Sequence, residues 1–295
     1  MARKKDEFTA AWITENALDI IPKYEDGLLT IRGMHYLLVA RGMHNTDNHY
    51  RRVKDAMVAA RWAGLIRFEV FSDHERKMIG ETQFQETDLE NEIDHAKESI
   101  SLWMRSYYKN RWENQENYVE VFIEKKTLQG IFSKPCKELR VALGACKGYP
   151  SLTFLNEAAD RFAEAEAEGK KPVIVYFGDY DPSGQDIPRS LQANLSRIGV
   201  DVELEIISLT EAQVIEWGLP PAPTKKTDSR SANWDGLGQV ELDAVEPNKL
   251  MQLCRDAVNS YFDDESYEEL KEQEEEERIE YRAQLKNFVN NELKD

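Results

Sequence analysis

The segment Val173-Ile-Val-Tyr-Phe-Gly-Asp179-Tyr-Asp181-Pro-Ser-Gly184 constrains the fold more than any other. A run of apolar, strand-forming residues ends in two carboxylates spaced i, i+2, and Pro-Ser-Gly then turns the chain into a helix predicted over Gln185–Ile198. In an extended chain that spacing points both carboxylates to one face. Two acids at the carboxyl end of a buried strand suit a hard divalent cation such as Mg²⁺, with Mn²⁺ as a substitute. The plainer alternative is an acidic turn with no ligand.

A third acid, Glu124, closes another strand-like run, Tyr118-Val-Glu-Val-Phe-Ile-Glu124-Lys125-Lys126. Between the two runs the pattern predicts a helix over Thr127–Leu139, a short strand over Arg140–Gly144 and a helix over Leu152–Glu166. A strand over Val202–Ser208 follows the Gln185 helix. This alternation implies a parallel sheet covered by helices, an α/β architecture. Strand ends gather at one edge of such a sheet, so Glu124, Asp179 and Asp181 can meet although Glu124 and Asp179 are 55 positions apart.

A Glu closing one strand and Asp-x-Asp closing a later one resembles the Toprim domain of topoisomerases, primases and some nucleases. Gly178-Asp-Tyr-Asp-Pro-Ser-Gly184 is similar to the Asp-x-Asp-Pro-x-Gly signature of the topoisomerase VI A subunit and the related meiotic double-strand-break protein. Gly148-Tyr-Pro-Ser-Leu152 also resembles that family, while Leu219–Arg230 and Val240–Ala244 resemble segments of bacterial and phage relatives. The likeness spans most of residues 10–262.

The resemblance implies an N-terminal winged helix with a nucleophilic tyrosine in an Arg-x-x-Tyr-Tyr motif. The matching stretch is Arg32-Gly-Met-His35-Tyr36, so Tyr36 takes the catalytic position and His35 replaces the first tyrosine. At about 100° per residue, Ile31, Met34, His35 and Leu38 share one helix face, and Tyr36 lies across from them on the side of Arg32. By the same resemblance, Glu124, Asp179 and Asp181 bind one or two metal ions, and Glu124 is the general acid/base. Tyr36 attacks double-stranded DNA with Arg32 assisting, leaving a 5′-phosphotyrosyl link. A homodimer then breaks both strands, each Tyr36 meeting the partner chain's metal site, and a separate ATPase subunit is implied. Two other readings stay open: a Toprim nuclease that cuts with metal-activated water, and a non-catalytic winged-helix DNA-binding regulator.

The rest of the N-terminal region suits DNA contact. Asn45-Thr46-Asp47 caps a helix predicted to run to Trp62, with Gly64 as its stop, and this helix carries Arg51, Arg52, Lys54 and Arg61. Leu65–Val70 reads as a wing strand. A solvated basic face on a three-helix module is the structural alternative. Charge follows the same division: the chain is −17 overall, whereas residues 1–80 hold 13 Lys/Arg against 11 Asp/Glu and residues 263–295 hold 5 against 13. The proline-rich loop Pro220–Arg230 brings Lys225, Lys226 and Arg230 as candidate phosphate contacts or as an ordinary surface loop. Glu241 and Asp243 either assist the metal site or form the solvent face of a strand.

These features divide the chain into a winged-helix domain (1–80), a helical connector (81–117), a Toprim domain (118–262) and an acidic helical tail (263–295), the tail reading as a solvated helix. Three cysteines at unrelated spacings form neither a zinc site nor a disulfide framework, and no ATP-binding loop of the Gly-x-x-x-x-Gly-Lys-Ser/Thr type occurs. No apolar run reaches the roughly 18 residues a membrane span needs, and no signal peptide is read, so the expectation is a cytoplasmic, nucleoid-associated protein.

Overall fold

A computed structural model describes residues 7–71, 88–222, 234 and 236–291. Within them the chain forms ten α-helices and a mixed α/β architecture with a four-stranded parallel sheet. It divides into two compact units, Met1–Arg76 with Tyr118–Tyr261, and Lys77–Asn117 with Phe262–Asp295.

In the first unit, α1 (Ala10–Ile20), α2 (Ile31–Val39) and α3 (Asp47–Trp62) enclose an apolar core that includes Ile13, Met34, Leu38, Val53 and Met57. Each helix starts at a threonine, Thr9, Thr30 and Thr46, whose hydroxyl accepts a backbone N–H of the first turn. Gly64, at φ +71°, follows the end of α3 in a conformation that favours glycine. The stretch read as a wing strand is not one. Phe68–Val70 forms a 3₁₀ turn, and only Phe71 bridges a neighbour, Leu29. The reason lies in which side chains turn inward: Ile66 and Val70 are buried at i, i+4 while Leu65 and Phe68 are exposed, so the strand period of two is missing.

The sheet comprises β1 (Asn117–Ile123), β2 (Ala142–Ala145), β3 (Lys171–Phe177) and β4 (Glu203–Ser208), in the order β2-β1-β3-β4. β1 and β3 are the inner strands, and both are buried almost throughout, which explains their apolar character, broken in β1 only by Glu120 within Tyr118–Ile123. The crossovers are α5 (Gln129–Leu139), α6 (Leu152–Ala167) and α7 (Pro182–Ile198), followed after β4 by α8 (Glu211–Glu216) and α9 (Pro247–Asn259). Glu120, in the middle of β1, is fully buried. It is held by Arg161, whose Nε and Nη2 donate to its two oxygens at 2.6 and 2.9 Å, and by the Tyr118 hydroxyl at 2.8 Å. The three cysteines, Cys136, Cys146 and Cys254, are buried and unbridged.

In the second unit, α4 (Leu89–Trp103) and α10 (Asp264–Asn291) touch where the Tyr281 hydroxyl donates to the Trp103 carbonyl at 3.2 Å, and the 104–117 segment adds further ties. Gln115 and Asp263 exchange two hydrogen bonds, Gln115 Nε2 to the Asp263 carbonyl at 3.0 Å and Asp263 N to Gln115 Oε1 at 2.6 Å. Glu274 and Glu277, within the acidic run, bind Lys109, and Trp112 stacks edge-on against Phe262 at 5.2 Å. The segments read as a connector and a solvated tail therefore form one body. Among the described residues no helix is long and apolar enough to cross a membrane.

Candidate functional site

The inner strands end side by side: Glu124 N donates to the Phe177 carbonyl at 2.9 Å. β3 stops at Phe177, so Asp179 and Asp181 lie past the strand, in a loop where Tyr180 pairs its backbone with Val240. The i, i+2 rule for a strand does not apply there, and the two carboxylates do different things. Asp179 is buried, its N–H donates to Glu124 Oε2 at 2.8 Å, and its Oδ1 accepts the Leu242 N–H at 2.8 Å. Asp181 is half-buried and caps α7, its Oδ1 accepting the Gly184 N–H at 2.7 Å. Gly184 is required by close approach: a Cβ there would sit 2.2 Å from the Asp179 carbonyl oxygen.

Lys125 joins this pair to a second acidic pair. Its ammonium lies 2.9 Å from Asp179 Oδ2, 3.1 Å from Glu241 Oε2 and 3.2 Å from Asp243 Oδ2. Glu241 and Asp243 are not the solvent face of a strand. Leu242–Ala244 is a 3₁₀ turn, Asp243 is buried, and Thr30 Oγ1 donates to Asp243 Oδ1 at 3.2 Å. Burial, Asp179 and Asp181 hold the Glu124 carboxyl above the usual carboxylate range. Burial also raises Asp179, against the pull of Lys125. The Lys125 ammonium is held firmly protonated by Asp179, Asp243 and Glu241, which outweigh its own desolvation.

The tyrosine stands next to this cluster in the same chain. Arg32, His35, Tyr36, Tyr50, Gln239 and Glu241 are among the residues lining a cavity of about 380 Å³. Arg32 Nη1 donates to Glu241 Oε1 at 3.1 Å, and its guanidinium lies over the Tyr50 ring, 4.4 Å from the centroid. Tyr36 is only 9% exposed, and it lines the cavity beside Arg32 and Glu241. Burial and then Glu241 push its hydroxyl up to about 12, while Arg32 and Lys125 pull it down. His35, grouped by periodicity with Met34 and Leu38, instead lines the cavity. Its Nε2 meets Asn45 Oδ1 at 3.3 Å, its Nδ1 has no partner, and burial lowers its proton affinity.

The basic residues of α3 divide in two. Arg51 and Lys54 are exposed. Arg52 donates to the Phe8 carbonyl, and Arg61 donates to the Met57 carbonyl at 3.3 Å and lies over the Phe71 ring. Lys225, Lys226 and Arg230 lie outside the described residues.

Among the described residues no three His, Cys, Asp or Glu side chains stand together as a formed metal cage. Asp179, Glu241 and Asp243 are drawn to Lys125 instead. The donor chemistry of Glu124, Asp179 and Asp181 nonetheless fits a hard divalent cation: all three offer carboxylate oxygens, Glu124 just past the end of β1 and Asp179 and Asp181 in the loop after β3. Beside them the Tyr176 hydroxyl is fully buried, without a hydrogen-bond partner, and within the electrostatic reach of all three acids. Lys125 and Thr30 are the residues that sequence reasoning passes over. Lys125 is adjacent to a recognised acid, but nothing in the local pattern connects it to Glu241 and Asp243, more than a hundred positions away. No protein-family model matches this sequence, and no curated protein matches it.

Proposed function

We propose that this chain is a Mg²⁺-dependent DNA-cleaving enzyme of the topoisomerase VI A-like type, with a winged-helix-like N-terminal module and a Toprim-like sheet domain. One observation carries the reading. Tyr36 and Arg32 share a cavity with Glu241, which Lys125 ties to Asp179 beside Glu124. A phenol, a guanidinium and a carboxylate cluster within a single chain are the groups that phosphodiester transesterification needs.

In this reading the Tyr36 oxygen forms a bond to phosphorus and the bond from phosphorus to the 3′ oxygen breaks. The phenolic proton is lost and the 3′ oxygen gains one, so the products are a 5′-phosphotyrosyl end and a 3′ hydroxyl. Arg32 holds the phosphate and favours the phenolate. Glu124, whose carboxyl burial holds above the usual range in the metal-free chain, is the general acid/base of this reading. Glu124, Asp179 and Asp181 would hold Mg²⁺ or Mn²⁺. When bound, the ion supplies positive charge against the phosphate oxygens. Double-stranded DNA is the substrate, Arg51 and Lys54 are exposed for backbone contact, and a homodimer would cut both strands, with a separate ATPase subunit as a further partner.

The raised proton affinity of Tyr36 favours a second reading, a Toprim nuclease in which water attacks and Tyr36 only lines the cavity. End-labelled supercoiled DNA, incubated with protein and Mg²⁺ or Mn²⁺ and stopped with detergent, separates the two. Label released only by protease, and lost in Tyr36→Phe, supports transesterification. Free cut ends that survive Tyr36→Phe but not Asp179→Ala support the nuclease. No cutting with any metal counts against both and favours a DNA-binding regulator.

A further inference from the structure

We propose that the gap between Arg32 and Lys125 is a phosphodiester-binding position, and that Glu241 fills it in the free protein as an internal stand-in for the phosphate. This rests on the reading of the chain as a DNA-acting protein and adds how that site is kept closed.

Glu241 divides its carboxylate between two cations: Oε1 accepts from Arg32 Nη1 at 3.1 Å and Oε2 from Lys125 Nζ at 3.1 Å. An anion bridging a guanidinium and an ammonium through two oxygens makes the contacts that two non-bridging phosphate oxygens would make. Arg32 and Glu241 both line the cavity of about 380 Å³, so a larger anion has room beside the carboxylate on the Arg32 side. The Arg32 and Glu241 side chains are 38% and 21% exposed, so the pair can be reached from solvent.

Glu241 is also the member of the cluster that can leave. It follows two single backbone bridges, Gln239 to Ala222 and Val240 to Tyr180, and stands just before the 3₁₀ turn, not within a strand. Asp243, by contrast, has a side chain 1% exposed and is fixed by both Thr30 and Lys125. When Glu241 moves away, Lys125 keeps Asp179 and Asp243 and stays in place. Arg32 likewise keeps its stacking on Tyr50. A phosphodiester carries the same single negative charge as the Glu241 carboxylate, so exchanging one for the other between Arg32 and Lys125 leaves the local charge unchanged. Departure of Glu241 also removes the strongest charge opposing ionisation of Tyr36. Binding and readiness to react would thus be linked through one side chain.

The test measures binding of a short fluorescent DNA duplex to the full chain with Tyr36→Phe, which stops transesterification. Adding Glu241→Gln or Glu241→Ala should tighten binding roughly tenfold, the worth of one charge-assisted contact no longer contested. The slope of log affinity against log salt should steepen by about one. Adding Lys125→Gln should abolish both gains, and Glu216→Gln, an exposed acid elsewhere, should produce neither. Thermal midpoints identify any variant that is misfolded, and the two Glu241 variants check each other. Unchanged or weaker binding in folded Glu241 variants overturns the proposal. So does a gain that survives Lys125→Gln, or the absence of DNA binding in every form. Failure of the wild-type chain to form a phosphotyrosyl adduct would overturn the cleavage reading while leaving this result standing.

Discussion

The Lys125 ammonium lies 2.9 Å from Asp179 Oδ2 and is the one group, among the described residues, that touches both the strand-end acids and the acids of the 3₁₀ turn. Its neighbour in sequence, Glu124, faces the same loop through the Asp179 backbone. A Glu-Lys pair at the end of β1 therefore supplies two opposite charges to one place, and the stability of the site follows from their balance.

Lys125→Met would leave Asp179, Glu241 and Asp243 without their shared cation in a buried setting. The unfolding free energy should fall by about 3–5 kcal/mol, the cost of removing one partner from a buried ion cluster. Urea denaturation measures it. A loss below about 1 kcal/mol would place these contacts with exposed, screened pairs.

Glu124 and Asp179 both take up protons more readily in the folded chain than in the unfolded one. The folded state therefore holds more protons on these two groups between about pH 4.5 and about 7, and their contribution to stability falls as pH rises through that window, being fully present below it. The metal-free protein should melt at a lower temperature at neutral pH than under mildly acidic conditions. Glu124→Gln should flatten the slope, and Mg²⁺ should raise the melting temperature mainly at the neutral end. A melting temperature that climbs toward neutrality would contradict the raised proton affinities.

Gly184→Ala forces a methyl group to within 2.2 Å of the Asp179 carbonyl oxygen, closer than any side chain tolerates. The loop must shift, at a cost of about 1–3 kcal/mol. DNA cleavage should fall further than stability does, because Asp179 and the α7 cap move together. Calorimetry and the cleavage assay, run on one preparation, make the comparison.

The cavity containing Tyr36 and the acids joined by Lys125 belong to one chain. Mixing Tyr36→Phe protein with Asp179→Ala protein should therefore fail to restore cleavage, since neither chain carries a whole site. Recovery in the mixture would show that each tyrosine works at its partner's acids, as the family resemblance implies.

Much of the sheet is legible in the sequence because it obeys local rules. β1 and β3 are inner strands, so they are rich in apolar residues, and α3 announces itself through its Thr46 cap. Glu124 and Asp179 do meet, as strand ends in such a sheet should. Local rules fail where the chain leaves regular structure. A strand rule pairs Asp181 with Asp179, but β3 has already ended and Asp181 is needed as the α7 cap. Leu65–Val70 has strand-forming composition without the strand period. The contacts of Glu241 with Arg32 and Lys125 span 209 and 116 positions, and no local pattern encodes such pairings.

The exchange of hydrogen bonds between Gln115 and Asp263 closes the second unit across 148 positions of chain. Its two halves are made at different times on the ribosome, with the whole sheet domain translated between them. The first half is made before the sheet domain, and its partner, the acidic segment, emerges only after it. The second unit is thus the last to be completed, because connectivity places its closing half after the sheet domain.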